Sequence, residues 1–337
     1  MKFLVIQTAF IGDVILATSI LEKLHEHYPD AQIDFLLRKG NESLFDGHPY
    51  LNNVLIWDKN RNKVKNLINL IKIIRKTKYD YVINVHRHLS SGIITVLSGA
   101  VNAIGFDKNP LSFLFTRKVK HIIGTKDIPI HEVDRNNGLI SAISDNLASN
   151  PKLYPTEIDS SIIEKYKIKS YICIAPKSVW YSKKLSLNKW VELIEKLPNA
   201  YNIYLLGAST DRDYCDYLRG RTNCKNVYNL CGELTLLQSA ALMKGSKMNY
   251  VNDSASLHLS SSVNGPTTAI FCSTIPEFGF YPLSTLKFVI ETPLKLTCRP
   301  CGIHGYDYCK LGHFLCSQSI EINEVIDLGI HTVIDNN

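Results

Sequence analysis

The sequence predicts an α/β protein of the GT-B kind: two Rossmann-like, doubly wound domains in succession, facing a central cleft. Three observations carry this. Short apolar runs alternate with helical patterns along nearly the whole chain. The first run passes through a glycine turn directly into a helix. After a break near residue 150 the alternation starts afresh, and 337 residues leave room for two domains of about 150 each.

The first domain, 1–155, opens on Lys2–Ala9 (KFLVIQTA), a continuous apolar run of the kind that forms a buried parallel strand. Phe10-Ile11-Gly12-Asp13 leads into a helical pattern from Val14 to His27. Strands are expected at Ile33–Arg38, Val54–Trp57, Tyr81–His86 and Ala103–Phe106, with a basic helix from about Arg61 to Lys78. No GxGxxG follows the first strand, so a dinucleotide fingerprint is absent. The second domain, 165–319, has strands at Tyr171–Ala175, Asn202–Gly207, Val227–Leu230, Met248–Val251 and Thr267–Cys272. Helices fall between them at Ser186–Leu197 (Ser186 as N-cap), Thr210–Arg219, Thr235–Lys244 and about Ser256–Val263. The last segment, 320–337, is expected to be a C-terminal helix, Ile320–Ile334.

Composition narrows the function classes. Hydrophobic residues at 45% and charged residues at 20% fit a soluble globular protein. A net charge of +7 suits an anionic partner such as a nucleotide, a phosphorylated glycolipid or a membrane surface; no nucleic-acid partner is expected. The apolar start, Phe3–Leu21, is interrupted by Asp13 and lacks a basic leader and a cleavage site, so neither export nor a membrane span is expected. Nine cysteines, an odd number, read as cytosolic thiols.

In an open parallel sheet, ligands bind beyond the carboxyl ends of the strands, where the next helix presents free N–H groups. Four stretches fall at such places, and a cysteine-rich segment lies apart from them. In KMNYVNDSASLHLSSSVNGPTTAIFC, Asp253, Ser254 and His258 follow a strand, and the small residues from Ala255 onward let a phosphate or diphosphate approach the backbone. Asp13 either caps the first helix or serves as a general base toward an acceptor hydroxyl. The loop Ala175–Lys184 offers Ser178, Ser182 and Lys183 to phosphate oxygens, or is a solvated basic loop. Lys183 facing Ser254 would form a diphosphate clamp that needs no metal. Gly207-Ala208-Ser209-Thr210-Asp211 places Asp211, or Asp213, to bind ribose hydroxyls or to cap a helix. Finally Cys298, Cys301, Cys309 and Cys316, with His304 and His313 interleaved, either hold a structural zinc or pack as reduced thiols. No catalytic metal pattern such as HExxH occurs, and no cofactor is required.

Taken together these segments resemble glycosyltransferase family nine, the bacterial lipopolysaccharide heptosyltransferases, in particular the heptosyltransferase II type. The resemblance rests on Ile11-Gly12-Asp13-Val14-Ile15-Leu16, APKSVWYSKKL, LLGASTDR, VNDSASLHLSSSV, NGPTTAIF, TIPEFGFYPL and the ending CRPCGIHGYDYCKLGHFLC, in order over nearly the whole chain. It implies an N-terminal acceptor domain, a C-terminal nucleotide-sugar domain, and inverting, metal-independent transfer from ADP-heptose. By position, Asp13 matches the base, and Ser182 and Lys183 match a Thr-Lys pair on the donor phosphate. Asp253, Ser254, Ala255 and His258 match the donor signature, and Asp211 lies near the ribose-binding acid. The implied partners are an ADP-sugar, a lipid A-linked core acceptor and the cytoplasmic face of the inner membrane, which Lys108, Arg117, Lys118 and Lys120 would meet. The chain departs from the family at Lys177 (usually Gly), Leu185-Ser186 (Trp-Pro) and Ala255-Ser256 (Gly-Pro). These departures leave open a different nucleotide-sugar, or a non-catalytic binder in envelope assembly.

Overall fold

The computed structural model describes residues 1–331 and divides into two compact units, Met1–Tyr154 and Pro155 onward. Each unit is a six-stranded, wholly parallel sheet wrapped by helices. In the first unit β1 (Lys2–Ile6), β2 (Gln32–Arg38), β3 (Leu51–Trp57), β4 (Tyr81–Asn84), β5 (Asn102–Phe106) and β6 (Arg117–Val119) lie in the order β3-β2-β1-β4-β5-β6. The second unit repeats that order with β7 (Tyr171–Ala175), β8 (Asn202–Leu205), β9 (Val227–Asn229), β10 (Asn249–Asn252), β11 (Thr267–Phe271) and β12 (Lys287–Glu291), arranged β12-β11-β10-β7-β8-β9.

The central strands are apolar throughout because helices cover both their faces. Phe3 to Ile6 and Tyr171 to Ala175 are all buried. Val5 sits opposite both Phe35 and Ile83, and Tyr250 opposite Ile174 and Thr268. Helix Ile11–His27 buries ten residues on nearly every side, whereas Leu187–Lys196 buries only Trp190, Leu193 and Ile194 on one stripe. Each fully buried Leu, Ile or Trp of this kind contributes roughly 1.5–3 kcal/mol. Local chemistry fixes two helix starts. Thr156 with Asp159, and Thr235 with Gln238, each form a reciprocal capping box.

Several boundaries differ from expectation. The run Lys2–Ala9 is strand only to Ile6, and Tyr81–His86 only to Asn84, whose side-chain oxygen accepts the His86 N–H (3.0 Å) and turns the chain. The second unit starts at Pro155 rather than 165, because helix Glu157–Ile163 packs on Leu236–Gly245. The expected final helix is a short one, Ile322–Ile326, followed by a wider turn, Asp327–His331; positions 332–334 of that expectation lie outside the described residues. Strands β6 and β12 and helices Leu89–Leu97 and Glu132–Asn137 were not anticipated. Among the described residues no helix is long and apolar enough to cross a membrane.

Candidate functional site

A doubly wound sheet opens a crevice where successive strands are laid down in opposite directions, at the carboxyl ends. The strand order puts that point between β1 and β4 in the first unit and between β7 and β10 in the second. The candidate residues gather at these two places.

In the first unit, Thr8 follows β1 and its hydroxyl lies 2.9 Å from His86 Nδ1 beyond β4, bridging the crevice. Lys59 Nζ donates to the Thr8 carbonyl (2.8 Å) and hydroxyl (3.2 Å). Burial, and then the charges of Arg38 and Lys63, lower the Lys59 pKa to about 8. Burial likewise lowers His86 to about 3, helped by His88, Lys59 and Arg87. His86 is neutral, and the neighbouring Arg38, Lys59, Lys63 and Arg87 give this edge positive charge suited to an anionic ligand.

Asp13 is the third residue of its helix, in the acidic first turn, where the backbone N–H groups of Asp13 itself and of Phe10 act to lower its pKa. Burial raises its pKa to about 6, the Glu132 carboxylate adds to the rise, and Arg87 opposes it. A carboxylate with that proton affinity can take a proton near neutral pH, as a general base must. Glu132 is fixed by an ion pair to Arg135, whose guanidinium also holds the Ile130 carbonyl at 2.8 Å. We expect Glu132→Gln to move the acidic limb of the pH–kcat/KM profile to lower pH, since the charge that adds to the effect of burial on Asp13 is removed. An unmoved limb would show that Glu132 does not act on the titrating group.

In the second unit, Asn252 at the end of β10 ties the loop after β7 to the crevice. Its side-chain oxygen accepts the Leu185 N–H (2.8 Å) and its amide donates to the Pro176 carbonyl (2.9 Å). Lys183 is thereby brought to Asp253, with Nζ 2.6 Å from Oδ2, and Thr274 donates its hydroxyl to the same carboxylate (2.6 Å). Ser254 stands extended before the helix Ala255–Ser262 and makes no capping bond. Its Oγ, and the Nδ1 of His258, are buried with no partner among the described residues. Burial lowers the His258 pKa to about 4, so the ring is neutral at pH 7. Two orphaned polar atoms, an ammonium and a helix N-terminus form a fitting receptor for phosphate oxygens. Ala255 has helical backbone, and neither it nor Lys177 has a positive φ, so both are tolerated where glycine is usual in similar sequences.

The remaining candidates are placed as follows. Ser182 points inward. Its hydroxyl lies 2.9 Å from Ser273 Oγ and accepts the Tyr306 N–H (2.9 Å), so it anchors the loop that carries Lys183. Ser178 is half-buried in that loop. Asp211 caps its own turn by accepting the Ala208 N–H (3.0 Å), and a Cβ at Gly207 would press on Asp211 and Cys231 at 3.0 Å. Lys177 lies over the Tyr214 ring at 4.9 Å, and burial together with the charge of Lys177 lowers the Lys184 pKa, so the two lysines lie close together. In the cysteine segment the Cys301 thiol donates to the Cys298 carbonyl (3.3 Å) and Cys309 Sγ accepts the Phe314 N–H (3.4 Å). Burial pushes Cys316 up to about 12, aided by the Cys301 and Cys309 thiols. Among the described residues no group of three or more His, Cys, Asp or Glu side chains converges to hold a metal ion.

Comparison with known proteins agrees with this picture. Residues 67–302 match the family model described as Glycosyltransferase family 9 (heptosyltransferase). Lipopolysaccharide heptosyltransferase 3 of Escherichia coli is 26% identical over 282 residues, covering 79% of this chain and 82% of the relative. The solved structure of E. coli ADP-heptose LPS heptosyltransferase II superposes with a TM-score of 0.81 at 20% identity, over 100% of this chain and 99% of that one. E. coli heptosyltransferase WaaC with ADP gives 0.73 at 18% identity, over 100% of both chains. The two structures show the GT-B fold, and the family match runs from within helix Lys63–Thr77 of the first unit through all six strands of the second. The chain belongs to glycosyltransferase family 9, the heptosyltransferases.

Proposed function

We propose that the protein transfers heptose from ADP-heptose to the inner core of lipopolysaccharide, with inversion and without a catalytic metal, at the cytoplasmic face of the inner membrane. The first unit would take the lipid A-linked acceptor and the second the nucleotide-sugar. The observation that carries the reading is the division of chemistry between the two crevices: a carboxylate of raised pKa in the first, and an ammonium with orphaned hydroxyl and imidazole atoms in the second. In the reaction the acceptor hydroxyl oxygen forms a bond to the anomeric carbon from the side opposite the leaving group. The bond from that carbon to the diphosphate breaks, and Asp13 takes the hydroxyl proton. Charge grows on the departing ADP, where Lys183 and the amides at the start of helix Ala255–Ser262 stabilise it more than in the ground state. The names of the E. coli relatives supply the donor and acceptor classes. The cationic edge around Lys59 and Arg87 suits phosphorylated, acidic core sugars, and Lys108, Arg117, Lys118 and Lys120 lie on and around β6.

Lys177 and its neighbour Lys184 favour a second reading, the same chemistry with another nucleotide-sugar, because they add charge within electrostatic reach of Asp211, the candidate ribose-binding acid. Titration calorimetry on chelator-treated protein with ADP, ADP-heptose, UDP-glucose, GDP-mannose and NAD separates the two. Preference for ADP and ADP-heptose without added metal is expected. Tighter binding of UDP- or GDP-sugars would replace the donor, and binding of none would overturn the transferase reading in favour of a scaffold in envelope assembly.

A further inference from the structure

We propose that helix Lys63–Thr77 is the surface on which the first unit docks to a bilayer rich in anionic phospholipid headgroups. Between Lys59 and Lys78 the chain carries eight Lys or Arg residues and no Asp or Glu. The helix is held by one stripe. Leu70 and Ile74 are buried, and Leu67 and Ile71 pack on the core cluster of Leu4, Leu36 and Trp57. That stripe leaves Val64 69% and Ile68 49% exposed. A single exposed aliphatic residue needs no explanation. These two lie one turn apart and line a shallow groove with Lys65 and Lys72. At about 100° per residue, positions 64, 65, 68, 72, 75 and 76 share one flank of the helix. Arg75 reaches the Leu97 carbonyl at 3.4 Å, and beside it Leu97 and Val101 are 44% and 73% exposed. Among the described residues none of the helix's five cations pairs with a carboxylate.

The combination selects the partner. A surface serving solubility alone would be polar throughout. Lysine is depleted from the cores of protein–protein interfaces, which disfavours a protein occupant. Cations that meet headgroups, with aliphatic side chains between them that enter the acyl boundary, are the mark of a helix lying in a membrane interface. The helix also begins beside the candidate site, since Lys63 lies within electrostatic reach of Lys59, whose ammonium holds Thr8 at the first crevice. Docking through this flank would bring that edge of the sheet to the surface that carries a lipid-linked acceptor. The docking stands without the transferase reading, and its test uses no sugar.

The test is co-sedimentation of the full chain with phosphatidylglycerol–phosphatidylethanolamine vesicles and with pure phosphatidylcholine vesicles, at about 0.1 M salt. Binding to the first and far weaker binding to the second are expected. Lys65→Gln/Lys72→Gln/Lys76→Gln should weaken the partition on the order of 100-fold, and Val64→Ser/Ile68→Ser roughly 10-fold. All five positions are exposed, and unchanged melting curves would show that both variants fold. Failure of the wild type to bind anionic vesicles, or wild-type binding by both variants, would overturn the proposal. So would self-association in sedimentation velocity that Val64→Ser/Ile68→Ser abolishes, which would assign the flank to a second copy of the chain.

Discussion

Asp13→Asn is expected to lower kcat by about 10²–10⁴-fold, the usual contribution of a general base, while making the protein more stable at neutral pH. The second half follows from the burial that raises the Asp13 pKa from 3.8 to about 6. A carboxyl that binds its proton more tightly folded than unfolded favours the folded state only while protonated. That contribution is complete below pH 4 and is lost as pH rises through about 6. Above pH 7 the wild type holds a partly buried carboxylate at a cost on the order of 3 kcal/mol. Asparagine has nearly the same shape but carries no charge. Urea unfolding of the two proteins should therefore show Asp13→Asn ahead at pH 8, with the gap closing toward pH 4. Wild-type kcat/KM should rise with pH through about 6, and the variant should bind ADP as the wild type does. Undiminished turnover in the variant would remove Asp13 from the chemistry, and equal stability at both pH values would remove the burial argument. A stability gain bought with lost activity is the pattern expected where a site is strained for function.

The fold was legible because parallel sheets buried on both faces write themselves as apolar runs, and KFLVIQTA and YICIA are such runs. Edge strands do not. β6 is three residues, RKV, and β12, KFVIE, is half exposed, so neither stands out from a loop. Of the site, the residues that follow a strand directly could be read: Asp13, Lys183 and the Asp253–His258 stretch. Their partners could not. Glu132 lies in a short polar helix far along the chain, and only packing of that helix on Ile11–His27 brings its charge to Asp13. His86 is hidden inside an expected strand that Asn84 cuts short, and Arg87 lies just past its end. Asn252 looked like the end of a strand, yet its side chain clasps a loop some 70 residues away in sequence. Thr274 completes the Asp253 carboxylate from beyond β11 with no local signal. Short-range pattern locates the chemistry, and long-range hydrogen bonds set its geometry and proton affinity.

Lys183→Met should produce the largest combined effect. The ammonium is 12% exposed and the Asp253 carboxylate 4%, at 2.6 Å from each other. Removing one member of such a pair leaves a buried charge whose named remaining partner is the Thr274 hydroxyl, at a cost of about 3–5 kcal/mol. Turnover should fall about 10²–10³-fold, as when a donor to developing charge is deleted, and ADP affinity should fall with it. Stability loss alone could mimic that result, so the decisive comparison is Lys183→Met/Asp253→Asn. Asparagine still receives the Thr274 hydroxyl and strands no charge, so most of the lost stability should return. The ammonium that meets the leaving diphosphate does not return, and turnover should stay low. Recovery of activity together with stability would reduce Lys183 to a structural counter-ion. Recovery of stability alone separates the two roles of one side chain: within the free protein it neutralises Asp253, and with two of its three N–H donors still to place it can turn to phosphate oxygens without leaving that carboxylate.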